Sequence, residues 1–209
     1  MGTILLIDPG GDFQEIIGRA AKTLLSGDLV AYPTESFYGL GAHINVDAAL
    51  KKLFRVKKRN PGHPVLILVP DRESTEQYVT RISPVAERLM NAFWPGGLTI
   101  VFDAASVVSP LLTAGTGKIG IRLSSHPIAT ALSQAIGSPI TGTSANLSGE
   151  SPCRTAEGVI RSLGDKVDLV LDGGKTPGEK ASTILDVTRE PPRILREGLI
   201  SREQLEPFF

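Results

Sequence analysis

The sequence predicts an α/β fold in which a twisted mixed sheet is flanked by helices, forming a single domain over residues 1–209. Segments with helical periodicity alternate with short apolar segments along the whole chain, which is the pattern of helices packed on a sheet. The apolar segments crowd together late in the chain, so we expect mixed rather than purely parallel pairing. The composition, 41% hydrophobic and 21% charged, is that of a globular protein, and we find no linker or repeat.

The first predicted helix has signals at both ends. Asp12 and Glu15 have the spacing of a capping box, and Gly27 suits the end of a helix. Its apolar stripe consists of Ile16, Ile17, Ala20, Leu24 and Leu25. Further helices are expected over residues 46–56 with Asn45 as the cap, from Ser83-Pro84 onward, over residues 126–137 and over residues 155–163. The inward-facing residues of the second and third helices are expected to be Leu50, Leu53, Phe54, Val85, Leu89, Met90 and Phe93.

Short apolar segments predict the strands. Residues 65–69 form a continuous apolar run between prolines, as in a strand buried on both faces. The predicted strands comprise residues 29–32, 65–69, 98–102, 119–123, 139–141, 168–171, 183–187 and 193–195.

Charge and cysteine content exclude several functional classes. The 22 basic and 22 acidic residues cancel, so no global field would hold nucleic acid, and any RNA contact should be local. The single cysteine, Cys153, excludes an intramolecular disulfide and a cysteine-cluster zinc site, and the three histidines lack metal-ligand spacing. The first twelve residues lack a signal-peptide pattern, and no apolar run is long enough to span a membrane. We therefore expect a cytoplasmic protein.

The usual nucleotide-binding motifs are absent from the sequence. Gly174-Lys175-Thr176 matches the end of a Walker A motif, but Leu169 occupies the position of its first glycine and Pro177 prevents an immediate helix. No G-x-G-x-x-G motif follows a predicted strand. If the protein binds ATP, it must do so by another arrangement.

Two polar segments directly follow predicted strands, where open α/β sheets bind ligands. Residues 33–41 (PTESFYGLG) offer hydroxyl groups, a carboxylate and glycines that allow close backbone approach. Residues 141–149 (TGTSANLSG) could form a backbone nest for an anion. Both compositions also occur in ordinary turns, so the segments alone do not decide between the two interpretations.

A basic run without acidic residues surrounds the end of the second predicted helix, and its members are Lys51, Lys52, Arg55, Lys57, Lys58 and Arg59. An extended exit from the helix would place Lys57 and Arg59 on one side, where they would suit a polyphosphate. The same charges could simply stabilise the helix C-terminus or bind double-stranded RNA. Elsewhere, Arg122 lies in an apolar strand and needs an anionic partner if it is buried and not exposed at a sheet edge. His63 could be a surface loop residue, and Arg196 could simply pair with a nearby carboxylate.

Taken in order, these segments resemble the YrdC family of threonylcarbamoyl-adenylate synthases. The matching motifs are PTESFYGLG (33–41), KKR (57–59), HP (63–64), WPGGLT (94–99), GIR (120–122) with His126-Pro127, TSANLSG (143–149), ASTI (181–184) and ILREG (194–198). The sequence departs from the family pattern at Ser36, Asn60, Val65 and Gly97, without loss of a charged or hydroxyl group. These departures affect loop geometry more than chemistry.

The resemblance implies a YrdC-like fold around a positively lined cavity and the synthesis of L-threonylcarbamoyladenylate and pyrophosphate from L-threonine, bicarbonate and ATP. The product would pass to threonylcarbamoyl-transfer proteins that modify tRNA. By matching position, the nucleotide would be bound by Lys57, Arg59, Lys118, Ser144, Asn146 and Arg196, with Lys57 and Arg59 as catalytic residues. L-Threonine would be held by Thr34, His63, Arg122 and Ser182. Mg²⁺ would be held mainly by the ATP phosphates, without protein ligands.

Other functions remain open from the sequence. The first is a non-catalytic module that binds double-stranded RNA or the ribosome, and the local basic run could also contact tRNA. A carbamoyl-transfer enzyme of hydrogenase maturation is a second, but those proteins need cysteine-rich zinc modules. A paralogue without activity is the third, although retention of Lys57, Arg59, Ser144 and Asn146 argues against it.

Overall fold

The structure is a computed structural model that describes residues 3–8 and 10–209. Within these residues the strands are β1 (Thr3–Leu6), β2 (Val30–Tyr32), β3 (Gly39–Gly41), β4 (Ile67–Leu68), β5 (Leu98–Asp103), β6 (Lys118–Arg122), β7 (Ile140–Thr141), β8 (Thr143–Ser144), β9 (Leu169–Asp172), β10 (Thr183–Asp186) and β11 (Arg193–Arg196). The α-helices are α1 (Gln14–Leu25), α2 (Asp47–Val56), α3 (Pro84–Phe93), α4 (Pro110–Thr113), α5 (Pro127–Ala135), α6 (Ala156–Leu163) and α7 (Arg202–Leu205).

The strands form two mixed sheets. The first has the order β1-β9-β2-β3-β8, with parallel pairing of β9 to β1 and β2, and antiparallel pairing of β3 to β2 and β8. The second has the order β11-β10-β5-β6-β4-β7 and also mixes both directions. The prediction of an α/β fold with mixed pairing is confirmed, but the strands divide between two sheets instead of one.

All eight predicted strands are present, with shifts of one or two residues at their ends. Three strands were not predicted, namely β1, β3 and β8. The sequence of β3 is Gly-Leu-Gly, a composition with little intrinsic preference for a strand. Glycine is needed at position 39, because a Cβ atom there would lie 2.8 Å from the ring of Tyr32 on the neighbouring strand. A side chain at this position would therefore displace the ring.

The helix-end predictions were partly correct. Gly27 has a φ of +85°, the left-handed conformation expected after a helix. The capping box was wrong, because α1 begins only at Gln14 and Asp12 merely accepts a hydrogen bond from the Gln14 amide at 3.1 Å. Asn45 was also wrong as a cap, since Val46 holds that position without a side-chain bond.

The apolar faces of the helices pack into two cores. The larger core joins α2, α3 and α6 to strands of both sheets, and the smaller core joins α1 and α5 to β2, β7 and β9. The predicted inward residues Leu50, Leu53 and Leu89 are fully buried, whereas Leu25, at the last turn of α1, is 54% exposed. One face of the second sheet carries Lys118, Arg122 and Asp186 among apolar residues, and this face borders the candidate site.

Candidate active site

A cavity of about 470 Å³ lies against one face of the second sheet. Because neighbouring side chains of a strand point to opposite faces, alternate residues line it. They are Thr99 and Val101 of β5, Lys118, Gly120 and Arg122 of β6, and Ser182, Ile184 and Asp186 on and just before β10. The opposite wall comes from the loop after β2 and from β3 and β8 of the first sheet. The volume is that of a site for a small molecule or nucleotide.

The lining is strongly cationic. Arg59, Lys118, Arg122 and Arg196 all border the cavity, whereas Asp186 is the only acidic residue among the residues that line it. The charge excess favours an anionic ligand, and guanidinium groups suit carboxylates and phosphates because they can donate two parallel hydrogen bonds.

Arg122 is buried and has the anionic partner that its position requires. Its side chain is 5% exposed, and a guanidinium nitrogen lies 3.1 Å from Oε1 of Glu35, whose side chain is 15% exposed. The Ser124 hydroxyl donates to Oε2 of Glu35 at 2.5 Å and fixes that carboxylate. Nε of Arg122 is buried without a hydrogen-bond partner in the described residues. The charge of Arg122 is therefore balanced by Glu35, and Arg122 still borders the cavity.

Thr34 shapes the loop that follows β2. Its hydroxyl donates to the Phe37 carbonyl at 2.6 Å and accepts from the Ser36 amide at 3.1 Å. These local bonds form a tight turn, which holds the loop at the cavity edge. Thr34 and Ser36 both border the cavity.

Lys57 lies beneath residues 143–149 and does not border the cavity. It is 1% exposed, and its Nζ donates to the Ser144 carbonyl and, at 2.7 Å, to the Asn146 carbonyl. Burial lowers the pKa of Lys57 to about 8, and the nearby Arg59 acts in the same direction. The predicted convergence of Lys57 and Arg59 in an extended exit is wrong. Lys57 is still helical in backbone conformation, and Lys58 turns the chain with a φ of +49°.

Asn146 is also buried beneath this loop, at 4% exposure. Its side-chain amide donates to the carbonyls of Leu147 and Glu150, at 2.8 and 2.9 Å. Ser144 is the member of this predicted set that borders the cavity. Lys57 and Asn146 thus hold the loop that presents Ser144.

Arg59 reaches the cavity from the loop after α2. It donates to the carbonyls of Pro64 at 2.7 Å and His63 at 3.3 Å, and burial lowers its pKa. The side chain of His63 is exposed and does not border the cavity. The structure therefore connects His63 to the site through its backbone carbonyl.

Lys118 and Asp186 form an ion pair of 2.9 Å at the cavity wall. Burial raises the pKa of Asp186, but hydrogen bonds from Thr188 and Lys118 lower it by more, so the net pKa is below its usual value. Sequence reasoning missed Asp186. The alternation that starts at Ser182 would have placed it on the same face.

Ser182 and Arg196 are linked directly. The Arg196 guanidinium donates twice to the Ser182 carbonyl, at 2.8 and 3.1 Å, and once to its hydroxyl at 3.2 Å. The Thr99 hydroxyl donates to the same serine hydroxyl at 3.0 Å. Burial lowers the pKa of Arg196, and Arg122 adds to this effect. Sequence reasoning did not single out Thr99, although it is part of the WPGGLT motif.

Two further properties concern metals and membranes. Within residues 3–8 and 10–209, no three His, Cys, Asp or Glu side chains form a cluster that could hold a metal ion. Among the helices of the same residues, none has the length and apolar character needed to cross a lipid bilayer.

The fold and the site together define an α/β protein with a cationic small-molecule cavity between two mixed sheets. The chain belongs to the Sua5/YciO/YrdC family, whose family model carries the description "Telomere recombination" and matches residues 22–198. This membership confirms the resemblance that the ordered motifs indicated.

Individual relatives agree over most of the chain. The threonylcarbamoyl-AMP synthase of Bacillus subtilis (strain 168) is 37% identical over 191 residues, which is 91% of this chain and 55% of the relative. The structure of P. abyssi Sua5 complexed with L-threonine is 34% identical, with a TM-score of 0.96, and the match covers 99% of this chain and 61% of that chain. E. coli YciO is 31% identical, with a TM-score of 0.87, and the match covers 95% and 97% of the two chains. The chain thus spans somewhat more than half the length of the first two.

Proposed function

We propose that this chain synthesises L-threonylcarbamoyladenylate from L-threonine, bicarbonate and ATP, releasing pyrophosphate. The observation that carries the proposal is the cavity, where Arg59, Lys118, Arg122 and Arg196 face a space of about 470 Å³ with a single carboxylate in its lining. The reactants carry a carboxylate, a carbamate and a triphosphate, which are all anionic. The name of the B. subtilis relative and the L-threonine bound to P. abyssi Sua5 support this choice of substrates.

The proposed chemistry needs positioning and charge neutralisation more than a dedicated base. L-Threonine and bicarbonate form a carbamate with loss of water, and a carbamate oxygen then attacks the α-phosphate. The bond between the α-phosphorus and the oxygen that bridges it to the β-phosphate breaks, and pyrophosphate leaves with that oxygen. The carbamate is already anionic near neutral pH, so the protein's main tasks are to align the attacking oxygen and to balance charge.

The amino acid is proposed to bind near Arg122, with its carboxylate on the guanidinium. The ion pair with Glu35 holds the Arg122 guanidinium at the cavity wall, where it could meet a ligand carboxylate. Thr34 and Ser182 are proposed to complete this end of the cavity. His63 keeps its proposed role only if its ring turns inward from the exposed loop.

The nucleotide is proposed to bind at Arg59, Lys118, Ser144 and Arg196. Arg59 is the proposed catalytic residue, because a guanidinium beside the phosphates would balance the charge that develops on them. Lys57 and Asn146 are proposed to act through the loop that carries Ser144, as positioning residues.

Mg²⁺ fits the proposal as an ion held mainly by the ATP phosphates. Protein-bound Mg²⁺ commonly uses one or two carboxylates together with substrate phosphates. Asp186 is the only carboxylate among the cavity-lining residues, and Lys118 and Thr188 already contact it. When bound, the ion would neutralise charge on the departing pyrophosphate.

The proposed product would pass to threonylcarbamoyl-transfer proteins that modify tRNA. The basic run could contact tRNA through Lys51, Arg55 and Lys58, which are exposed. Its other members face elsewhere, since Lys52 pairs with Asp28 and Asp168. This division leaves only a small cationic patch for the alternative function, a non-catalytic module that binds double-stranded RNA or the ribosome.

Release of pyrophosphate tests the proposed function. The purified chain is incubated with ATP and Mg²⁺, omitting L-threonine or bicarbonate in turn. We expect release only when both are present, with an adenylate product of matching mass. If the folded protein releases no pyrophosphate under any combination yet binds duplex RNA without ATP, the synthase proposal is wrong and the binding module is favoured.

A further inference from the structure

The hydroxyl of Ser182 has both of its acceptor positions occupied by protein groups. The Thr99 hydroxyl donates to it at 3.0 Å, and the Arg196 guanidinium donates to it at 3.2 Å. A serine hydroxyl can accept two hydrogen bonds and donate one. Its own proton is therefore left for a third partner, and Ser182 borders the cavity.

Packing holds Thr99 in the orientation in which its hydroxyl donates to Ser182. It is 1% exposed and lies on β5, next to the parallel strand β10. Its methyl group packs over Gly120 of β6, where an added Cβ atom would lie 3.2 Å from it. A threonine side chain has a stiff χ1 angle, so packing of the methyl group also fixes the hydroxyl.

We propose that Thr99 is a positioning residue that makes Ser182 an obligate hydrogen-bond donor toward the cavity. The ligand group at Ser182 must then be an acceptor, such as an oxygen of the amino-acid carboxylate, and not an ammonium group. The choice of L-threonine as the ligand rests on the proposed function. The role of Thr99 itself rests on the hydrogen bonds and the packing.

The main test is Thr99→Val, which removes the hydroxyl and keeps the branched shape. We expect the Kd of L-threonine in calorimetric titration, and its KM in the pyrophosphate assay, to rise about tenfold, as for one lost hydrogen bond at a binding site. The KM for ATP should change less than about twofold on the same basis. Thr99→Ser retains the hydroxyl but lacks the packed methyl group, so its loss of affinity for L-threonine should be smaller than that of Thr99→Val.

A matched control exists in Thr75, which is fully buried and whose hydroxyl has no hydrogen-bond partner in the described residues. Thr75→Val should leave the affinity for L-threonine unchanged. A double-mutant cycle separates positioning from direct contact. In a Ser182→Ala background, Thr99→Val should cause no further loss, since the group that it orients is gone.

Two results would overturn the inference while leaving the proposed function intact. One is that a folded Thr99→Val variant binds L-threonine with the same affinity as the wild type. The other is an additive loss in the double mutant, which would mean that Thr99 acts without Ser182. If Thr99→Val does not fold, Thr99→Ala carries the same expectation. A wild type that neither binds L-threonine nor releases pyrophosphate would instead refute the proposed function.

Discussion

The stability of the folded protein should depend on the titration of Lys57 between about pH 7 and 10. Lys57 is 1% exposed, and burial lowers its pKa to about 8 from an ordinary value of 10.5. Between these two values the folded protein holds fewer protons at this site than the unfolded chain. The free energy of unfolding rises with pH wherever the unfolded state binds more protons, so this site should add stability as the pH rises.

The structure sets the size of the effect. Each pKa unit corresponds to about 1.4 kcal/mol, so pKa values of about 8 and 10.5 imply about 3 kcal/mol for the complete titration. Between pH 7 and 10, about 2–3 kcal/mol of this should be gained. The neutral amine still has two N–H groups, which match its two acceptors, the carbonyls of Ser144 and Asn146. The loop should therefore keep its hydrogen bonds after the proton is lost.

The perturbation is Lys57→Met, which removes the titrating group and keeps an unbranched side chain. The variant also leaves two carbonyls without their donor, at a cost of about 1–3 kcal/mol each. The slope against pH, and not the stability at one pH, therefore reports the titration. Tyr32 and Tyr38, whose pKa values burial raises, are present in both proteins and cancel in the comparison.

The assay is urea unfolding followed by the fluorescence of Trp94 at pH 7, 8, 9 and 10. The wild type should gain about 2–3 kcal/mol relative to Lys57→Met over this range. Lys51→Met, at an exposed position of α2, is the matched control and should follow the wild type. Parallel curves for the wild type and Lys57→Met would mean that Lys57 keeps its ordinary pKa and is hydrated in the folded protein.

Two further predictions concern the threonine end of the cavity and its packing. Arg122→Ala should raise the KM for L-threonine at least tenfold, because it removes a charged hydrogen-bond donor worth about 1.5–3 kcal/mol; an unchanged KM in the pyrophosphate assay would refute this role. Gly198→Ala should destabilise the protein by about 1–3 kcal/mol in urea unfolding, because the new Cβ atom would lie 2.1 Å from the backbone carbonyl oxygen of Ala181, which cannot move aside as a side chain can. Gly18→Ala is its control, with open space around the added Cβ atom in helix α1, and should stabilise by about 0.5–1 kcal/mol; equal effects of the two changes would contradict the packing argument.

Much of the fold could be predicted from the sequence, because the longer elements carry their own periodic signals. The apolar runs of β5 and β6 and the stripe of α2 need no tertiary information. The missed strands β3 and β8 have only three and two residues, which is too short for a periodic signal. They form because they pair with neighbouring strands, β3 with β2 and β8 with β3.

The candidate site was also only partly predictable from the sequence. The sequence by itself determined which groups are available, since a buried arginine such as Arg122 needs an anion and a run of hydroxyl residues after a strand offers donors. It also determined the family, because the family's motifs occur in order along the chain. Local patterns and their order are properties of the chain alone.

Only the tertiary structure decided which groups meet. Glu35 was a loop carboxylate in the sequence, and folding makes it the partner of Arg122 at 3.1 Å. Lys57 and Arg59 are two residues apart, yet the left-handed turn at Lys58 sends one beneath a loop and the other into the cavity. A single backbone angle and contacts between distant segments determine these positions, and neither is encoded in the spacing of residues along the chain.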